Sequence, residues 1–227
     1  MLRSSYRGLA ALGTGLAVAL LFATRAVAGP TVTRELPDPS LDQPLSTAPG
    51  QQSIVFAGGC FWGVQAVFQH VKGVVSATSG YAGGTTGGKV SYDDVSSGNT
   101  GHAESVRVVY DTSKVSLGQL LKVFFSVVHD PTELNRQGPD VGTQYRSAVF
   151  YSNDAQRDVV KSYIAQLTAA KAFARPIVTE VAPLKAFHEA ESYHQDYFNR
   201  HPDQPYIVIN DRPKVEALRS QFAVLWQ

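Results

Sequence analysis

Beyond residue 52 the apolar positions alternate between the periods of strand and helix. Residues 53–57 (Ser-Ile-Val-Phe-Ala) predict a short strand, after which Val64, Val67, Phe68 and Val71 recur at helical spacing. Residues 105–110 predict a second strand. Leu117, Leu120, Leu121, Phe124, Phe125 and Val128 mark one face of an amphipathic helix, and Ser116 and Gln119 are spaced as a capping box at its start. A strand over 147–151 follows, then a helix over 154–170 buried through Val160, Tyr163, Ile164 and Leu167, then a strand over 177–181. Mixed strands and helices in this order, with no internal repeat, indicate an α/β or α+β arrangement of helices layered on one sheet.

The first 52 residues follow neither period. Arg3 and Arg7, a nearly unbroken apolar and small-residue run over 8–23, and Ala26-Val27-Ala28 read as a secretory signal, 1–28, cleaved after Ala28. The protein is therefore expected to be exported, to the periplasm. Absence of acid before Glu35 would also suit a mitochondrial presequence, the alternative, but no Arg interrupts the apolar run. An uncleaved anchor is disfavoured because the run falls short of the ~20 residues that span a bilayer. Residues 29–52, with prolines at 30, 37, 39, 44 and 49 among Thr, Ser, Asp and Gln, predict an extended arm outside the core. This leaves 53–227 as one domain.

Charge and composition narrow the function. In 227 residues, 20 Lys and Arg face 19 Asp and Glu, so nothing points to nucleic acid as a partner. A hydrophobic content of 44% with 17% charged residues excludes a disordered chain and a multi-span membrane protein. Cleavage after Ala28 would leave 199 residues with 17 basic and 19 acidic side chains, net −2, and no methionine. The single cysteine, Cys60, forbids an internal disulfide and a thiolate metal cluster. In an oxidising compartment a lone thiol is a liability, which a structural role does not explain.

Cys60 follows Gly58-Gly59 at the end of the first strand and opens the first helix, where free N–H groups and the helix dipole favour a thiolate and are expected to lower its pKa. Against this stands the reading of Cys60 as a small buried hydrophobe, with Phe61 and Trp62 as core anchors. No metal site is expected: His188 and His194, six apart, would point to different sides of a helix, and Glu191 with His194 forms a single i, i+3 pair.

Gly59-Cys60-Phe61-Trp62-Gly63 resembles the active-site signature of the A-type peptide methionine sulfoxide reductases. Further blocks resemble that family in the same order: Gly80-Tyr81-Ala82-Gly83-Gly84; Tyr92 with Val95 and Ser97-Gly98; Thr100-Gly101-His102-Ala103-Glu104; His129-Asp130-Pro131-Thr132; Asn135-Arg136-Gln137-Gly138 with Asp140; Gly142-Thr143-Gln144-Tyr145-Arg146-Ser147; and Ala190-Glu191 with Tyr193-His194-Gln195. The resemblance spans roughly 53–202 and implies an α+β fold, a two-layer ferredoxin-like core of mixed sheet and helices with extended termini. It also implies a monomer that reduces the S epimer of free or peptide-bound methionine sulfoxide with no bound cofactor.

Residue by residue, the resemblance makes Cys60 the nucleophile on the sulfoxide sulfur and Glu104 the acid, kept protonated by burial. Tyr92 and Tyr145 become donors to the sulfoxide oxygen. Phe61 and Trp62 become the wall for the substrate methyl, and Asp140 orients substrate or water. Tyr81, Asp130, Arg146, Glu191 and His194 are assigned to support of the fold. Two departures stand out. Many members carry C-terminal cysteines that resolve the sulfenic acid, whereas residues 203–210 here contain none and position 96 is Ser, so a thiol from another molecule (thioredoxin, glutaredoxin with glutathione, or a monothiol) is required. Pro139, preceding Asp140, puts that residue's placement in question. The rival readings are a Cys-His hydrolase with His102 or His194 as base, and a non-catalytic interaction module with an inert Cys60.

Overall fold

The computed structural model describes Met1 and residues 35–85, 88 and 90–227. The expected signal, 1–28, lies outside the described residues apart from Met1, as do residues 29–34 of the arm. The described chain runs β1 (Gln51–Gly58), α1 (Phe61–Gln69), β2 (Val74–Ala82), α2 (Tyr92–Ser96), β3 (Ala103–Asp111) and α3 (Leu117–Val123), which continues as a π turn over Phe124–Val128. There follow β4 (Arg136–Gln137), β5 (Asp140–Val141), a 3-10 turn over Thr143–Tyr145, β6 (Ser147–Tyr151), α4 (Asp154–Ala169), β7 (Glu180–Pro183) and β8 (Phe187–Glu189). A 3-10 turn over Ser192–His194, α5 (Tyr197–Arg200), a π turn over Ile207–Asp211 and α6 (Arg212–Gln221) complete it.

The main sheet has the order β7-β6-β1-β3-β2-β8. Its inner four strands, β6-β1-β3-β2, pair antiparallel, with α1 between β1 and β2 and α3 between β3 and β6, which is the ferredoxin-like arrangement. β7 adds parallel to β6 and β8 adds antiparallel to β2, making the sheet mixed. Alternation along β1 divides the interior. Ile54 and Phe56 face the large helical core, where Phe56 stacks on Phe68 of α1 and on Phe124 at 4.8 and 4.7 Å. Val55 and Ala57 join Ala82, Ala103, Ala148 and Phe150 in a smaller cluster on the opposite face. The capping box forms as predicted, Ser116 accepting from Gln119 N–H and Gln119 from Ser116 N–H.

Three expectations are corrected. The strand expected over 177–181 is instead Glu180–Pro183, because its parallel register with β6 pairs Ala148 with Glu180 and Tyr151 with Pro183. His188 and His194 share no helix, lying in β8 and in a 3-10 turn. The arm is extended yet not outside the core. Leu36 is buried in the main cluster, Tyr163 donates its hydroxyl to Pro37 O, and Asp42 accepts from Gly118 N–H and from the Ser116 hydroxyl at the start of α3. Gln51 and Gln52 already belong to β1.

Candidate active site

β1 delivers the chain to Cys60 through a turn that only glycine permits. Gly59 has φ +88, and a Cβ there would lie 2.7 Å from Gln137 Cβ, so the β4–β5 hairpin packs directly on the loop before the thiol. Cys60 is the N-cap of α1, without a side-chain capping hydrogen bond of its own, and the amide that follows it, Phe61 N–H, donates to Glu104 Oε2 at 3.0 Å. The free end of one helix thus holds the thiol and a carboxyl from the adjacent strand β3 side by side.

Those two groups line a single cavity of about 270 Å³ together with Phe61, Trp62, Tyr92, Asp140, Tyr145, Gln204 and Tyr206. All seven residues that the sequence singled out are therefore brought to one place, from α1, α2, β3, β5 and the 3-10 turn. Tyr92 opens α2, whose start is fixed by the Ser91–Asp94 capping box and by Glu191, which accepts from Tyr92 N–H at 2.9 Å and from the Tyr81 hydroxyl at 2.9 Å. Asp140 follows the Gly138-Pro139 turn and accepts from the Tyr206 hydroxyl; Pro139 does not remove it from the cavity. Trp62 forms the wall by stacking on Tyr197 at 3.8 Å, while its indole N–H donates to His194 Nδ1 at 3.1 Å.

Burial dominates the electrostatics of the pocket. Burial pushes the Glu104 carboxyl up to about 8, with Asp140 and Asp211 adding to the effect and the Phe61 N–H opposing it. At neutral pH it is a carboxylic acid with a proton to give. Tyr92 and Tyr145 are raised by burial and by Glu104, so both phenols stay protonated as donors. Burial likewise raises Asp140, against the Tyr206 hydrogen bond. The expectation of a lowered thiol pKa is overturned. Burial pushes Cys60 well above the usual thiol range, reinforced by Glu104 and Asp211, and outweighs the Trp62 N–H and Lys214 that pull it down. At neutral pH Cys60 is therefore held as a thiol.

Sequence reasoning missed Gln204 and Tyr206, which reach the cavity from the segment before the second π turn, whereas His194, assigned to support, holds the Trp62 indole without lining the cavity. Neither His102 nor His194 is among the lining residues, and His194 Nδ1 is taken by Trp62, so no imidazole is set to deprotonate Cys60 as the hydrolase reading needs. A thiol beside a protonated carboxyl and two phenols is suited to protonating an oxygen. No group of three or more His, Cys, Asp or Glu able to hold a metal ion occurs among the described residues.

Comparison with known proteins agrees with this chemistry. The family model of peptide methionine sulfoxide reductase matches residues 52–225. The chain is 57% identical over 179 residues to the peptide methionine sulfoxide reductase MsrA 2 of Mesorhizobium japonicum, covering 79% of this chain and 91% of that protein. It is 49% identical over 193 residues to MsrA 2 of Synechocystis, covering 84% and 90%. Among solved structures, reduced Mxr1 of Saccharomyces cerevisiae is similar with a TM-score of 0.62 at 32% identity, covering 73% of this chain and 92% of the other. Methionine sulfoxide reductase A of Corynebacterium diphtheriae gives 0.59 at 32% identity, covering 78% and 92%. With its signature, its fold and nearly all of its described length accounted for in this way, the chain belongs to the A-type peptide methionine sulfoxide reductases, enzymes that reduce the S epimer of methionine sulfoxide.

Proposed function

We propose that Cys60 attacks the sulfoxide sulfur while Glu104 protonates the oxygen, with Tyr92 and Tyr145 donating hydrogen bonds to it as it gains charge. Phe61 and Trp62 receive the substrate methyl, and Asp140 orients the rest of the substrate through its contact with Tyr206. Atoms balance as thiol plus sulfoxide going to sulfenic acid plus thioether. The sulfoxide is reduced by two electrons, Cys60 is oxidised by two, and the oxygen ends on Cys60 as S–OH. The thiol proton is lost only as the sulfur becomes bonded and replaces the one that Glu104 gives to the oxygen, which reconciles a raised thiol pKa with nucleophilic attack. The single observation that carries the reading is the gathering of thiol, neutral carboxyl, phenols and apolar wall around one cavity.

With one cysteine in the chain, regeneration is intermolecular: an outside thiol attacks the sulfenic acid, water leaves, and a second thiol resolves the mixed disulfide. Thioredoxin, glutaredoxin with glutathione, and a monothiol all have the required chemistry. The enzyme acts as a monomer that repairs oxidised proteins, and it does so in the periplasm, a location supported by Arg3, Arg7, the apolar run and Ala26-Val27-Ala28. Mass spectrometry of the mature protein after one turnover without thiol tests the chemistry, with one added oxygen on Cys60 expected. Chiral analysis of a racemic substrate should show one epimer untouched, and equal loss of both would discard the pocket. Cell fractionation with N-terminal sequencing tests export, with Gly29 as the expected first residue.

A further inference from the structure

We propose that buried Asp211 and half-buried Lys214, which no part of the mechanism above uses, form an ion pair beneath the first turn of α1 that sets the reactivity of Cys60, with Lys214 as the cation that stabilises charge developing on its sulfur. The inference rests on Cys60 being the nucleophile.

The geometry comes from the C-terminal segment. Asp211 ends the second π turn, is completely buried, and holds Lys214 Nζ at 3.3 Å through Oδ1. The pair presses on Gly63, one turn along α1 from Cys60. A Cβ at Gly63 would collide with Asp211 Oδ1 and stand 3.0 Å from Lys214 Nζ, so absence of a side chain there lets the charges approach the helix. Asp211 Oδ2 is buried without a hydrogen-bond partner among the described residues, an arrangement that folding alone does not reward. The groups facing Cys60 from other elements are Glu104, Asp140, Tyr92, Tyr145 and Tyr206, all acids or phenols. Lys214 is the cation among the groups acting on the thiol and pulls its pKa down, whereas Asp211 pushes it up. Lys214 also acts on His129, whose burial holds it neutral.

The two residues therefore have opposite signs, which a packing role would not produce. The test is the rate of iodoacetamide alkylation of the full-length mature protein without sulfoxide, read by intact mass from neutral into alkaline pH; with one cysteine, every adduct reports Cys60. Lys214→Met should slow alkylation at neutral pH by roughly three- to tenfold, and Asp211→Asn should accelerate it by a similar factor. The double variant should return near wild type, and Lys214→Arg should stay within about threefold of it. Shifts of the same sign in the two single variants, or no shift in either, would overturn the proposal. If Lys214→Met does not fold, Asp211→Asn decides: faster alkylation supports the proposal, and slower or unchanged alkylation overturns it. Failure of the nucleophile assignment shows separately, as a Cys60 that carries no oxygen after single turnover.

Discussion

Replacing Glu104 by Gln tests the acid through both rate and stability. The change keeps the shape of the side chain, and the amide oxygen can still accept from Phe61 N–H, but the ionisable proton is gone. In the folded protein the carboxyl titrates at about 8 against a usual value of 4.5, so between those limits the native state retains a proton that the unfolded chain has lost. Stability from this group is fully present below pH 4.5 and drains away as pH rises through about 8. The distance between the two values, at about 1.4 kcal/mol per pH unit, makes the total about 5 kcal/mol. Urea unfolding of wild type and Glu104→Gln across this range should show the variant gaining on wild type by that amount. Single-turnover reduction should fall ~10²-fold in the variant, the scale of a lost general acid. The ratio of the two rates should narrow above about pH 8, where wild-type Glu104 itself ionises. Parallel stability curves together with an unchanged rate would refute the assignment of Glu104 as a neutral buried acid.

Asp42→Ala removes the carboxylate that receives Gly118 N–H and the Ser116 hydroxyl, and urea unfolding should register a loss of about 1–2 kcal/mol; no loss would mean that the arm does not hold α3. Tyr145→Phe and Tyr92→Phe should each lower the single-turnover rate by roughly ten- to a hundredfold while leaving the alkylation rate of Cys60 within about threefold, since they donate to the substrate oxygen and not to the thiol. Excess sulfoxide without thiol should yield one equivalent of product and stop, measured by chromatography; continued turnover would contradict external recycling.

What the sequence reveals of this molecule is what is encoded locally. Ser116 and Gln119 are three apart, so their reciprocal cap can be read from the spacing alone, and Ser147–Tyr151 is legible as a strand because its apolar run is short and bounded. β2 is not legible in this way, because Val74-Val75-Ser76-Ala77-Thr78-Ser79-Gly80 has little apolar periodicity; its place between β3 and β8 comes from pairing alone. Leu36 reads as one apolar residue among prolines, and only the groove it enters makes it core. For the site, the family motifs carry seven of the lining residues, but Gln204 and Tyr206 lie in a stretch whose one visible peculiarity is its lack of cysteine. The thiol shows the limit of local reasoning: a helix N-terminus is written in the sequence, while the burial that outweighs it belongs to the whole fold.

The stacking of Trp62 on Tyr197, together with its hydrogen bond to His194, gives this enzyme an optical signal of its own state. The chain has two tryptophans, and the second, Trp226, stacks on His70 at the far end of α1. A Trp226→Phe background would leave a single indole in the wall against which the substrate methyl is expected to rest. Its emission would then follow the entry of a sulfoxide and the departure of a thioether in real time, without a label. Because Trp62 donates to His194 Nδ1, protonation of that imidazole would break the bond and change the same signal, so acid titration of the fluorescence would read the state of the cavity wall independently of any turnover.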